Sequence, residues 1–279
     1  PLAILRWLAF AVYFVGCAAL PLVLLWGFPG LIGGTALGGL LLSMLRIQGV
    51  KGLTIHRQSK PLTPAQAPVE YRLTQEYCRR LGLPVPALRV LESPSLNMAI
   101  YGFHSQDRQL VLTRGILQTL SRPQKSALIA LALCHAARGE VANRTWLASF
   151  FDFIQTLLLP FPGRRLTRSA SVPLHRVFRQ LVLYPLSLFP AFVLGTSEKS
   201  AGVDALAIRV TQNPRALAEA FRRVEASSER TPLQTPFSAR HLFLTPSPSA
   251  DPLIRLFFST SSFENRVHAV ETALGRTPA

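Results

Sequence analysis

Apolar and polar positions alternate along this chain in blocks whose lengths are themselves informative. Residues 7–27 form an apolar run interrupted only by Pro21, and residues 31–45 form a second one, rich in glycine (Gly33, Gly34, Gly38, Gly39). A helix needs about 20 apolar residues to cross a bilayer. The two runs, separated by Pro29-Gly30, therefore predict a membrane hairpin, with its glycines permitting close helix packing in lipid. A signal peptide is the rival reading of the first run. The pattern then changes. Residues 61–68 read as a linker and 69–81 as an amphipathic helix stopped by Gly82 and Pro84. Residues 87–91 and 109–112 read as short strands, with 93–102 as the loop that leads from one to the other. Residues 127–144, ALIALALCHAARGEVANR, are good helix formers preceded by Pro123, which suits a first helical turn. The first half of this helix is apolar on nearly every face, so it should be buried, and one histidine, His135, stands within it. Two further apolar runs, 146–159 and 181–195, precede helices at 197–211 and 216–226. A Ser-, Pro- and Thr-rich stretch, 227–252, reads as a flexible loop, and a short helix follows near Glu264, Arg266 and Val267.

Charge narrows the class. The chain has 279 residues, is 49% hydrophobic, and carries a formal net charge of +16. Apolar runs with an excess of Arg and Lys predict a membrane protein with basic cytoplasmic parts. Arg6 precedes the predicted hairpin and Arg46, Lys51, Arg57 and Lys60 follow it, which puts both of its ends in the cytoplasm. The basic residues flank apolar runs and no nucleic-acid motif is present, so a nucleic-acid partner is not expected. Arg164, Arg165, Arg168, Arg176 and Arg179 lie between the third and fourth apolar runs, and Asp152 and Gln155 interrupt the third. A full crossing by both runs would place these arginines on the trans side. The preferred reading is an interfacial or re-entrant pair with the arginines on anionic lipid headgroups. Cys17, Cys78 and Cys134 are far apart and fit a reducing compartment.

The central helix carries a resemblance. Membrane zinc peptidases of the HtpX type, relatives of the CAAX prenyl proteases, have a helix of the form A-x-x-A-H-E-x-x-H-x-x-x-R/G-D/E. Setting its second histidine on His135 places Leu131 at the first zinc histidine, Ala132 at the general-base glutamate, and Glu140 at the acidic position of the next turn. Zinc hydrolysis needs two imidazoles one helical turn apart and a carboxylate beside the bound water. Leucine and alanine supply neither. The resemblance continues through Pro94, Asn97 and Gly102, then through Val111–Leu117, and through Asp204 and Asn213-Pro214. It places Ser200 at the third-ligand glutamate, and Ser261 and Ser262 in a passage where relatives have His and Pro. Asp204 and Asn213 are retained as scaffold residues.

The resemblance implies an α+β fold: a mainly helical, zincin-like metallopeptidase domain with a small sheet, plus transmembrane helices. It divides the chain into a hairpin (1–48), a first part of the peptidase-like domain (49–145), a second membrane-associated hairpin with a basic loop (146–196), and a second domain part (197–279). In such a domain an edge strand lines the substrate cleft, where an extended peptide adds as another strand. Asn97, Tyr101, His104 and His135 are the candidates to line it. No two of the six histidines are spaced for zinc on one helix face. On one continuous helix His135 and Glu140 diverge by roughly 140°. The expectation is a pseudopeptidase with no zinc or other cofactor, a binding or scaffold protein in membrane-protein quality control or complex assembly. It would be multi-pass in a bacterial inner membrane, with its soluble domain in the cytoplasm, touching anionic lipids and a protein partner in the membrane. The alternative is an active zinc endopeptidase with a non-standard ligand set that includes His135.

Overall fold

A computed structural model describes residues 2–158, 200–233, 237–244 and 266. The expectations for Arg164, Arg165, Arg168, Arg176 and Arg179, for the run 181–195, and for Ser261 and Ser262 lie outside the described residues. The chain divides into two compact units, one of Pro1–Leu53 with Trp146–Gly195 and one of Thr54–Thr145 with Thr196–Ala279.

In the first unit, α1 (Leu2–Gln48) folds back on itself at Gly27, whose backbone sits at φ 60°, ψ −132°. Only glycine adopts that conformation without strain. The returning arm starts with Pro29 and approaches the first arm through glycines four apart. A Cβ on Gly30 would lie 1.9 Å from the Leu22 carbonyl oxygen, one on Gly34 2.4 Å from Ala19 Cα, and one on Gly38 2.8 Å from Val15 Cα. The residue numbers at the contact fall on one arm as they rise on the other, so the arms are antiparallel. Elsewhere large apolar side chains on α1 are exposed, Leu24, Leu25, Trp26 and Phe28 among them. Among the described residues one helical stretch, Trp7–Gln58, is long and apolar enough by length and composition to cross a membrane. The aromatic residues of 146–153 pack on the first arm. Phe10 meets Phe150 at 5.8 Å between ring centroids, and Phe14 meets Phe150 at 5.9 Å and Phe153 at 5.6 Å. Asp152 is buried.

The second unit is mostly helical around a small mixed sheet. Its elements are α2 (Thr54–Gln58), β1 (Lys60–Pro61), α3 (Pro68–Leu81), β2 (Ala87–Leu91), β3 (Met98–Tyr101), β4 (Gln109–Thr113), α4 (Arg114–Thr119) and α5 (Arg122–Ala137). α6 (Glu140–Leu158) begins in this unit, and α7 (Ser200–Thr211) and α8 (Pro214–Arg230) follow. The strand order is β1-β2-β4-β3. β2 and β4 are parallel, with Arg89 opposite Val111, and both outer pairs are antiparallel. The stretch expected as a connecting loop thus contains a strand. Its residues Met98, Ala99, Ile100 and Tyr101 are buried on both faces, so period-2 alternation, the usual strand signal, is missing.

α5 is the core of this unit. Residues 127–136 are all buried, packed among α3, α7, α8 and the sheet. The Gln124 side chain accepts from the Ser121 N–H at 3.2 Å, half of a capping box. The helix does not continue to Arg144. It stops at Ala137, Gly139 takes φ +77°, and a new helix starts at Glu140. The glycine that disrupts helix propensity here also supplies the left-handed residue that ends one. α8 opens on Asn213, whose side chain accepts from the Ala216 N–H at 3.0 Å, with Pro214 in the first turn. The flexible loop expected over 227–252 is partly ordered: α8 runs to Arg230, a 3-10 turn spans Phe237–Leu242, and Phe243 bridges to Ala99.

Candidate functional site

The break at Gly139 brings together two side chains that a single helix would have kept apart. Glu140, the first residue of α6, folds back so that its Oε2 lies 3.5 Å from His135 Nδ1. That separation makes an electrostatic contact, longer than a full hydrogen bond. The expected divergence of His135 and Glu140 is therefore corrected, because it assumed one uninterrupted helix. One turn along α6, Arg144 places its guanidinium 3.9 Å from the same carboxylate oxygen. On α7, Asp204 is gripped by Arg266 through two bonds, Nε to Oδ2 at 3.0 Å and Nη2 to Oδ1 at 2.6 Å, with both side chains almost fully buried. The Arg266 guanidinium also lies 4.4 Å over the Phe221 ring of α8.

Charge in this cluster is set by burial and by its own members. Desolvation lowers the His135 pKa and favours the neutral imidazole. Glu140 works against that, and the cations Arg144 and Arg266 reinforce it. His135 holds the Glu140 carboxyl below its ordinary range against the cost of burial, with Arg144 helping. Glu140 and Asp204 supply two negative charges, and Arg144 and Arg266 two positive ones. Arg138 adds a third cation that acts on Glu140, so with His135 neutral the cluster carries an excess of positive charge.

The positions aligned with the peptidase motif carry no donor atoms in α5. Leu131 is wholly buried in the core and Ala132 is buried beside it. Ser200 opens α7. Among the described residues no group of three or more His, Cys, Asp or Glu side chains is arranged to hold a metal ion. Among the described residues, one imidazole and one carboxylate under the influence of Arg144 and Arg266 do not fit a zinc centre, which takes four donors and disfavours nearby cations.

The remaining candidates fall at separate places. Asn97 is buried at the start of β3. Its N–H donates to Thr113 Oγ1 at 3.1 Å, its carbonyl accepts from the Thr113 hydroxyl at 2.9 Å, and its side-chain oxygen accepts from the Met98 N–H at 2.9 Å. Tyr101 ends the strand fully buried, its hydroxyl 3.2 Å from His56 Nδ1. Burial raises its pKa to about 12. His104 is exposed in the loop before β4, its N–H donating to Asp107, whereas His135 is buried in α5. Sequence reasoning missed Arg144 and His241. His241 is buried, with its Nε2 donating to the Arg144 carbonyl at 2.9 Å. The signals were slight: Arg144 stands four residues after Glu140, and His241 lies in a segment read as loop.

Comparison with known proteins decides the family. A protein named Protease HtpX homolog from Trichormus variabilis is 30% identical over 256 residues, covering 88% of this chain and 87% of that protein. The chain belongs to the HtpX family. A homolog from Nostoc punctiforme is 28% identical over 252 residues, 88% of this chain and 86% of its own length. Another from Salinibacter ruber is 24% identical over 259 residues, 88% and 91% respectively. No family model matches the chain. The similarity to these peptidase homologs thus extends over 88% of the sequence.

Proposed function

We propose that this member of the HtpX family is a membrane-anchored pseudopeptidase that holds extended polypeptide without cutting it. In this reading the second unit is a zincin-like domain in which β3 is the edge strand and α5 the former zinc helix. The observation that carries the proposal is the state of α5. At the ligand and base positions it presents Leu131 and Ala132, both buried, and its one histidine faces Glu140. Electrostatics point the same way. Two carboxylates already face the guanidiniums of Arg138, Arg144 and Arg266, so a divalent cation beside His135 would add to an excess of positive charge in a buried site. A protein with this arrangement is suited to quality control or to assembly of a membrane complex, through a protein partner in the membrane.

Membrane anchoring is supported by the exposed apolar surface of α1. The basic residues Arg46 in its last turn and Lys51, Arg57 and Lys60 just after it favour a cytoplasmic second unit in a multi-pass protein of a bacterial inner membrane. Arg164, Arg165, Arg168, Arg176 and Arg179 would engage anionic headgroups.

The test is the metal content of the detergent-solubilised protein by elemental mass spectrometry, run beside a peptidase assay. Zinc near zero with no cleavage is the expected result. About one zinc per chain, lost together with cleavage in His135→Ala, would overturn the proposal and establish an endopeptidase with a non-standard ligand set.

A further inference from the structure

The sheet of the second unit has two edges, and the chain treats them differently. At one edge stands β1, two exposed residues long. Lys60 brings a charge and Pro61 lacks an N–H, so this edge is poorly suited to further pairing. At the other stands β3, four buried residues with no proline and no charge. Its outer side is occupied by the chain itself. Phe243 lies opposite Ala99 in an antiparallel bridge, and the Leu244 N–H donates to the Met98 carbonyl at 2.9 Å. That bond joins the residue before Ala99 to the residue after Phe243. The facing pair is therefore of the non-hydrogen-bonded kind, in which side chains approach most closely.

The occupying segment is anchored. Ala239, Leu242 and Phe243 are buried, and His241 donates to the carbonyl of Arg144, whose side chain reaches Glu140. A short piece of this chain thus sits in strand geometry against the edge assigned above to captured polypeptide. It is also tied to the helix start that faces His135.

We propose that Phe243–Leu244 is an internal occupant of the β3 edge, and that extended polypeptide is captured only when this segment leaves. The proposal rests on the capture reading of the previous subsection. It also specifies the ligand. A competitor must supply an N–H to the Met98 carbonyl in antiparallel register, and a large apolar side chain opposite Ala99 to fill the place of the Phe243 ring. Extended segments rich in aromatic and aliphatic residues meet both requirements.

The experiment uses the full chain in detergent micelles and fluorescein-labelled β-casein, an unfolded polypeptide, with binding read by fluorescence anisotropy. Leu244→Pro removes the donor to Met98, and its binding should tighten about tenfold while the thermal midpoint falls by only a few degrees. An unchanged affinity in this folded variant overturns the proposal. A second variant, Ala99→Cys/Phe243→Cys in a Cys17→Ser background, keeps the test decisive should the proline variant fail to fold. The facing pair has the short separation a disulfide needs. The oxidised form should lose casein binding. The reduced form, which also lacks the Phe243 ring, should bind more tightly than the parent. Failure of the disulfide to form, or equal binding by the oxidised and reduced forms, overturns the internal occupant alone. Absence of casein binding in every form, reduced variant included, overturns the capture reading and this proposal with it.

Discussion

The Asp204–Arg266 pair gives a sharp quantitative test of how the second unit is held together. Both oxygens of Asp204 are bonded, at 2.6 and 3.0 Å, and the side chains are 4% and 3% exposed. Asp204→Ala removes the counter-charge and leaves a guanidinium buried over the Phe221 ring. A cation–π contact recovers only part of that loss. Breaking one side of a buried pair costs about 3–5 kcal/mol. Whole domains are stable by about 5–15 kcal/mol, so the variant loses roughly a fifth or more of its reserve. At roughly 2–4 °C per kcal/mol for a domain of this size, the thermal midpoint should fall on the order of 10 °C. The double variant Asp204→Leu/Arg266→Met removes both charges and should recover most of that fall, because desolvation of the pair is itself costly. Differential scanning fluorimetry in a mild detergent reads both. A fall of less than about 2 °C in Asp204→Ala, or a double variant worse than the single, would refute the assignment of this pair as the clasp between α7 and the C-terminal region.

Two further outcomes follow from buried polar groups. Lys125 Nζ lies 2.7 Å from Glu70 Oε1 and 3.2 Å from the Leu117 carbonyl, joining α3 to α5. Lys125→Met should therefore cost about 3 kcal/mol and Glu70→Leu/Lys125→Met much less, as read from urea midpoints; equal losses would show the charge pair is not the cause. Burial pushes the His241 pKa down to about 4, against an ordinary value of about 6.5. The folded state therefore holds this imidazole neutral. Its contribution is fully present above about pH 6.5 and is lost as pH falls toward 4, up to about 3 kcal/mol. His241→Gln should flatten the dependence of the urea midpoint between pH 7 and 4, and parallel profiles for the two proteins would refute it.

Much of the fold was legible because its signals are local. Gly82 and Pro84 end α3, Asn213-Pro214 opens α8, and the unbroken apolar face of α5 announces a buried helix. Two elements escaped for opposite reasons. β3 lies against β4 on one side and Phe243 on the other, with both faces covered, so its residues show no alternation. The break between α5 and α6 rests on one residue, Gly139, whose φ of +77° depends on where the next helix must go. That single backbone angle turned Glu140 from a diverging side chain into the neighbour of His135. The resemblance singled out His135, Glu140 and Asp204 along the chain. The ion pairing around them joins residues from 135 to 266, and no spacing rule reaches that far.

In the proposed pseudopeptidase reading, the residues at the former zinc positions changed as a set. In the pattern this chain resembles, a divalent cation is held by two histidines and a glutamate, with a second glutamate as base. Two positive charges on the metal face two carboxylates. In the proposed reading the metal-binding His, the base and the third ligand are replaced together, by Leu131, Ala132 and Ser200, and no divalent charge remains to face a restored carboxylate. Restoring one member should therefore do harm. Ala132→Glu alone places a carboxylate at a position 6% exposed on the most buried helix, and should cost several kcal/mol. Leu131→His/Ala132→Glu/Ser200→Glu restores two carboxylates and a second imidazole, a set that zinc neutralises. The triple variant should bind about one zinc per chain, with a thermal midpoint well above that of Ala132→Glu when zinc is present and collapsing when a chelator is added. The effects are expected to be strongly non-additive, since the three side chains are stabilised only through the shared ion. If the triple variant takes up no zinc, or if Ala132→Glu alone is as stable as the parent, then α5 is not the remnant of a zinc helix and the alignment through His135 is wrong.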